Sequence, residues 1–187
     1  MAGILALAQS LELEVTAEGV ENDMQRDTLV LSDSTAILEH IEETLERTPL
    51  IGSTAEDRAE TRRLSAWFDQ KFYAEVNAPL LGERMYKRAV VRGTPDGGII
   101  RTASRMADMH LDYIDFLLER RAWLGGGQFG LADIAAAAHL SVADYLAGLE
   151  WDGHEPAKTW YSAIKSRPTF RPLLAERLEG LPPPQHY

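Results

Sequence analysis

From Leu131 to Leu149 the chain is apolar almost all round and carries a run of four alanines. A helix without a polar face belongs in the middle of a bundle, wrapped by other helices. The flanking sequence supplies such partners. Leu64, Trp67, Phe68, Phe72 and Val76 share one apolar face, with Arg58, Arg62, Arg63 and Asp69 around it. Pro79 is expected to kink or break that helix. Residues 89–97 read as a loop. Ile100, Ala103, Met106, Ala107, His110, Ile114, Leu117 and Leu118 then form a second long amphipathic face.

Gly125-Gly126-Gly127 reads as a helix end and turn, because no strand–Gly–Lys-Ser/Thr context makes it a phosphate loop. Trp160, Tyr161 and Ile164 mark a short helix. Pro168 stands where a last one would begin, with Phe170, Leu173, Leu174 and Leu178 inward. Leu181-Pro182-Pro183-Pro184 is expected to end the fold. Short linkers between long helices favour antiparallel neighbours. The expected architecture is mainly α, a five- or six-helix bundle preceded by a short mixed α/β piece. In that piece, residues 3–11 suit a helix and Glu12–Thr16 a strand, and Thr28–Leu31 suits a second strand. Ser32-Asp33-Ser34 offers caps for a helix carrying Ala36, Ile37, Ile41 and Leu45, which Pro49 ends.

Charge and composition narrow the function classes. The net charge is −10, with 29 acidic and 19 basic residues. Residues 1–50 hold 11 acids against Arg26 and Arg47, so −9 of that total lies there and −1 in the remainder. This balance argues against a nucleic-acid partner, which needs a net basic face. With no cysteine, disulfides, thiolate metal sites and cysteine nucleophiles are excluded, which fits a cytoplasmic protein. No apolar run approaches the roughly 20 residues that span a bilayer, so no membrane partner is expected. The opening MAGILALAQSLELEV lacks a positively charged start and is interrupted by Glu12 and Glu14, unlike a signal peptide.

Three stretches carry a family resemblance. Val30-Leu31-Ser32-Asp33-Ser34-Thr35-Ala36-Ile37-Leu38 resembles the last strand and helix of the thioredoxin-like domain of glutathione S-transferases. Gly130-Leu131-Ala132-Asp133-Ile134-Ala135 resembles the start of the central helix of their all-helical domain. Trp160 with Ser166-Arg167-Pro168-Thr169-Phe170 resembles their closing helices. The resemblance implies a division into residues 29–50, a thioredoxin-like remnant, and 51–187, the helical domain. It also implies attack of a glutathione thiolate on a small electrophile, and a cytosolic homodimer. Glutathione would be a co-substrate, with no resident cofactor and no metal.

By that resemblance, Asp33 and Ser34 hold the γ-glutamyl end of glutathione. The carboxylate pairs with its ammonium, and the hydroxyl and helix N-terminal N–H groups suit its carboxylate. The same residues also suit simple helix capping. Asp133 matches the acidic member of a buried capping box whose other member is usually Ser or Thr; here that position is Gly130, which supplies no side-chain oxygen. The family's thiol-activating Ser, Tyr or Cys and its cis-proline loop have no counterpart. The first proline is Pro49, and Ser10 and Thr16 are the only hydroxyl residues before Thr28. On this reading the chain is a truncated transferase with impaired chemistry, or a non-catalytic helical binding or dimerisation module.

Residues 1–28 resemble another family. Ile4-Leu5-Ala6-Leu7-Ala8-Gln9-Ser10-Leu11 followed by Ala17-Glu18-Gly19-Val20-Glu21 and Gln25 is similar to a late helix–strand unit of EAL-type cyclic-di-GMP phosphodiesterases, which implies a fusion. Glu18 would correspond to a metal-site carboxylate there. The signature Glu-Ala-Leu string and the paired aspartates are absent, and one carboxylate cannot hold two divalent cations. Elsewhere, His40, His110, His139, His154 and His186 show no zinc-helix spacing with a third ligand nearby. His110 and His139 fall on apolar faces, which suits satisfied core residues better than ligands. The basic run Glu83-Arg84-Met85-Tyr86-Lys87-Arg88 reads either as a solvated helix end or as a cleft wall, with Arg84, Tyr86 and Lys87 facing a substrate.

Overall fold

The computed structural model describes Leu38, Glu39, Glu42 and residues 49–187 apart from Glu179. The expected 1–28 unit, the strand at Thr28–Leu31 and the caps Ser32–Ser34 lie outside the described residues. Leu38, Glu39 and Glu42 are helical. Two contacts tie them to the bundle: Leu50 N–H donates to Glu42 Oε2 at 2.7 Å, and the Arg62 guanidinium grips both Glu39 carboxylate oxygens at 2.7 and 2.6 Å.

The first long helix, α1, runs without interruption over residues 55–89. Thr54 opens it with a reciprocal cap: its hydroxyl accepts the Asp57 N–H at 3.0 Å, and the Asp57 carboxylate accepts the Thr54 N–H at 3.2 Å. Of the expected kink or break at Pro79, the break is not found. The turns Trp67–Asn77 and Leu81–Tyr86 on either side are wound in the wider π register, so that the Ala78 N–H reaches back to the Tyr73 carbonyl. In that register the carbonyls before a proline no longer sit where an α-helix would drive them into its ring.

The same winding explains the core stripe. Leu64, Phe68, Phe72, Val76 and Leu80 follow each other at intervals of four, and all five are wholly buried. At 3.6 residues per turn such a row would drift by about 40° per step, roughly 160° from first to last, and could not face one side. Wider turns straighten it.

Helix α2 spans Gly97–Leu118. Asp96 caps it, accepting the N–H groups of Gly98 and Ile99 at 2.7 and 3.3 Å, while its own N–H donates to Glu83 of α1 at 2.7 Å. The buried side holds Ala103, Ala107, His110, Leu111, Ile114 and Leu117. Helix α3, Leu131–Tyr145, has eleven of its fifteen residues buried, which makes it the central helix that its composition demands. Helix α4 covers Glu155–Lys165, with Trp160, Tyr161 and Ile164 turned inward.

The last helix departs from expectation. Helix α5 begins at Arg171, not at Pro168, runs only to Ala175 and buries nothing fully. Residues 166–170 are taken up by a turn closed by Arg167 N–H to Ile164 and Phe170 N–H to Arg167. Leu181 does more than end the fold: Tyr145 Oη donates to its carbonyl at 2.7 Å and accepts the Leu178 N–H at 2.8 Å, fastening the tail across the end of α3. Among the described residues there are five helices, the three residues at 38–42, two isolated bridges and no extended strand. The mainly α architecture is as expected.

Candidate functional site

Asp133 lies at the first turn of α3 and is wholly buried. Its carboxylate accepts the Leu124 N–H at 2.9 Å, the Gly130 N–H at 3.0 Å and the Trp160 indole N–H at 2.8 Å. Burial pushes its pKa up, and the three donors pull against that rise. One side chain thus joins the 121–130 turn, the start of α3 and α4. The missing hydroxyl at Gly130 has a steric reason. The Leu50 carbonyl accepts the Leu131 N–H at 2.8 Å, and a Cβ on Gly130 would stand 2.5 Å from that carbonyl oxygen. Gly130 itself is in ordinary extended backbone, so space rather than conformation selects glycine. A cavity of about 250 Å³ opens beside this junction, bounded by Ser53, Asp57, Thr61 and the glycines 125–127.

Two buried histidines clamp α1 from α2 and α3. His110 Nδ1 accepts the Trp67 indole N–H at 3.0 Å, so its Nε2–H donates to Glu75 at 3.0 Å. Burial lowers its pKa, with Glu75 opposing. His139 Nδ1 accepts from the Asn77 amide at 3.0 Å, and its Nε2–H donates to Asp69 at 2.9 Å. Both are engaged at both ring nitrogens, as satisfied core residues are.

Arg84, Tyr86 and Lys87 share the end of α1 but not one environment. Arg84 lines a cavity of about 400 Å³ together with Arg88, Ile100, Tyr145 and the 181–184 segment. Its guanidinium donates to the carbonyls of Leu146 and Ala147, where α3 ends in a Schellman turn: Gly148 N–H to Ala143 at 2.8 Å, Ala147 N–H to Asp144 at 3.0 Å. Tyr86 is 56% exposed. Lys87 pairs with Glu83, one turn back, at 2.8 Å.

Sequence reasoning passes over two polar centres because their partners come from distant segments. Asp144, buried at the end of α3, accepts from the Trp151 indole at 3.0 Å, from His186 Nε2 at 3.1 Å and from Lys165 at 3.4 Å. His154, just before α4, faces Asp115 through Nδ1 at 2.6 Å and Asp108 through Nε2 at 3.1 Å. With a carboxylate at each nitrogen, the doubly protonated ring satisfies both. Burial alone would lower the His154 pKa, but these hydrogen bonds outweigh it and raise it. Asp108 and Asp115, a helical repeat of seven on α2, are the signal that could have been read. Among the described residues no group of three His, Asp or Glu is placed to hold a metal ion, and no helix is long and apolar enough to cross a membrane. Asp33, Ser34 and Glu18 lie outside the described residues.

No family model matches the chain. It is 52% identical over 168 residues to FtsZ-localized protein A of Caulobacter vibrioides, covering 90% of this chain and 73% of that protein. Among solved structures, a glutathione S-transferase of Rhodospirillum rubrum aligns with a TM-score of 0.81 and 37% identity, over all of this chain and 92% of that one. A glutathione S-transferase of Sinorhizobium meliloti aligns with a TM-score of 0.77 and 39% identity, over 87% and 81%. None of these three is a phosphodiesterase, so the resemblance of residues 1–28 to that family gains no support from them.

Proposed function

Since the chain belongs to the glutathione S-transferase family, we propose that it uses the family's helical bundle as a protein-binding module that localises with FtsZ. The observation that carries this is the 52% identity to FtsZ-localized protein A across nine-tenths of the chain. The geometry is consistent with it. His110, His139, His154, Asp133 and Asp144 are all committed to bonds between helices and segments, the mark of a rigid platform. The test is calorimetry of the purified chain with purified FtsZ, together with the position of a fluorescent fusion relative to labelled FtsZ. Binding with co-localisation is expected. A fusion that ignores FtsZ, with no heat of binding, overturns the proposal.

A second reading, glutathione conjugation, is favoured by the 37% and 39% identity to the two glutathione S-transferase structures. In it, Asp33 and Ser34 hold the tripeptide, an electrophile sits against the Arg84 cleft, and the protein is a cytoplasmic dimer without resident cofactor. Glutathione titration with an assay against a generic electrophile separates the two. Binding at millimolar or tighter with turnover supports conjugation, and Asp33→Ala should then weaken the binding.

A further inference from the structure

We propose that the corner where α1 passes into α2 is a docking site for an acidic peptide segment bearing an apolar anchor, a partner chemistry that rests on the binding-module reading. The chain as a whole is −10, yet residues 84–105 carry six of its 19 basic residues (Arg84, Lys87, Arg88, Arg92, Arg101 and Arg105) against Asp96 alone, a local balance of +5. Asp96 is committed to the α2 cap, and Glu83, just outside, to Lys87. Among the described residues Arg84 donates only to carbonyls, and no carboxylate is among its partners. Arg88 and Arg92 make no ion pair among the described residues. A basic region on an acidic protein attracts acidic segments and orients them as they arrive.

Apolar surface gathers at the same corner. Among the described residues six large hydrophobic side chains are exposed, and four of them, Tyr86, Val90, Val91 and Ile99, fall within residues 86–99. Scattered single hydrophobics are ordinary on a surface, whereas a cluster beside unpaired cations marks recognition. The cavity of about 400 Å³ shares Arg84 and Arg88 with this corner and is lined as well by Ile100, Leu181 and prolines. It is large enough for an anchor side chain. Arg88 and Arg92 would pair the flanking carboxylates, as arginine clusters do for acidic motifs. Three of the four exposed side chains are aliphatic and Tyr86 is the one aromatic, which favours peptide over nucleic acid, whose bases stack on successive aromatic platforms.

The test uses the full chain and a fluorescein-labelled peptide of about twelve residues, acidic throughout except for a central Leu-Phe pair, read by anisotropy. Saturable binding is expected. The double variant Arg88→Glu/Arg92→Glu should weaken it by about tenfold or more, as should Val90→Ser/Val91→Ser, with unchanged circular dichroism. Arg171→Glu, outside the corner, should leave affinity within about twofold. Absence of binding up to about 1 mM overturns the proposal, as do corner variants that bind like the parent or an oligothymidine of equal charge that competes as well as the peptide. The FtsZ measurement runs in parallel. FtsZ binding without corner-dependent peptide binding defeats this inference alone, and corner-dependent peptide binding without FtsZ binding defeats the localisation reading alone.

Discussion

Gly130 and Leu50, eighty positions apart in sequence, touch: a side-chain carbon on Gly130 would come within 2.5 Å of the Leu50 carbonyl oxygen, which already accepts the Leu131 N–H at 2.8 Å. Gly130→Ser restores the hydroxyl of a full capping box and should still destabilise the protein. The loop bearing Leu50 must move and its hydrogen bond must stretch, at a cost of about 1–3 kcal/mol. Chemical denaturation of the two proteins decides it; a more stable serine variant would show that the loop yields freely.

Asp133→Ala should cost more. It leaves the Leu124 and Gly130 amides and the Trp160 indole without their acceptor in a buried setting, a loss of about 3 kcal/mol or more. Asp133→Asn keeps one acceptor oxygen and should fall between. Urea midpoints of the three proteins give the order.

At the other end of α3, Ala147 holds φ of +53°, the left-handed conformation that a Schellman turn asks of its closing residue and that favours glycine. Ala147→Gly should therefore stabilise the protein, by up to about 1 kcal/mol, seen as a higher Tm. Gly148→Ala should do the opposite, since a Cβ there would press into the Leu80 side chain.

The histidines predict opposite pH responses. The folded-state pKa of His154 is raised, so its contribution is fully present below the ordinary histidine value of about 6.5 and is lost as pH rises through the folded value. That of His110 is lowered by burial, so its contribution is present above about 6.5 and lost as pH falls through the folded value. Stability measured from pH 5 to 9 for wild type, His154→Asn and His110→Asn should show the difference between wild type and the His154 variant shrinking with rising pH. The difference from the His110 variant should shrink with falling pH.

Much of the bundle is legible in the sequence because it depends on pattern. The all-round apolar run of α3, the amphipathic face of α2 and the inward Trp160, Tyr161 and Ile164 are local facts. The continuation of α1 through Pro79 escapes a reading that judges proline against 3.6-residue turns, although the interval of four from Leu64 to Leu80 points to a wider winding. Of the site, Asp133 is legible from its place in the first turn of an apolar helix. The reason for Gly130 is not, because it resides in Leu50. Arg84 reads as a charge in a basic run; its grip on the carbonyls of Leu146 and Ala147 arises only once two helix ends meet.

The wide turns of α1 also set the tolerance of the chain to small changes in length. Excision of one residue between Trp67 and Tyr86, with the remaining turns kept in their wide winding of about four residues each, would swing everything downstream by about 90° about the axis. Leu80 would leave the core, and Arg84 would let go of the end of α3. A single-codon deletion that looks conservative in an alignment would thus separate the basic corner from the central helix it braces, while point substitutions along the same stretch would leave the phasing intact.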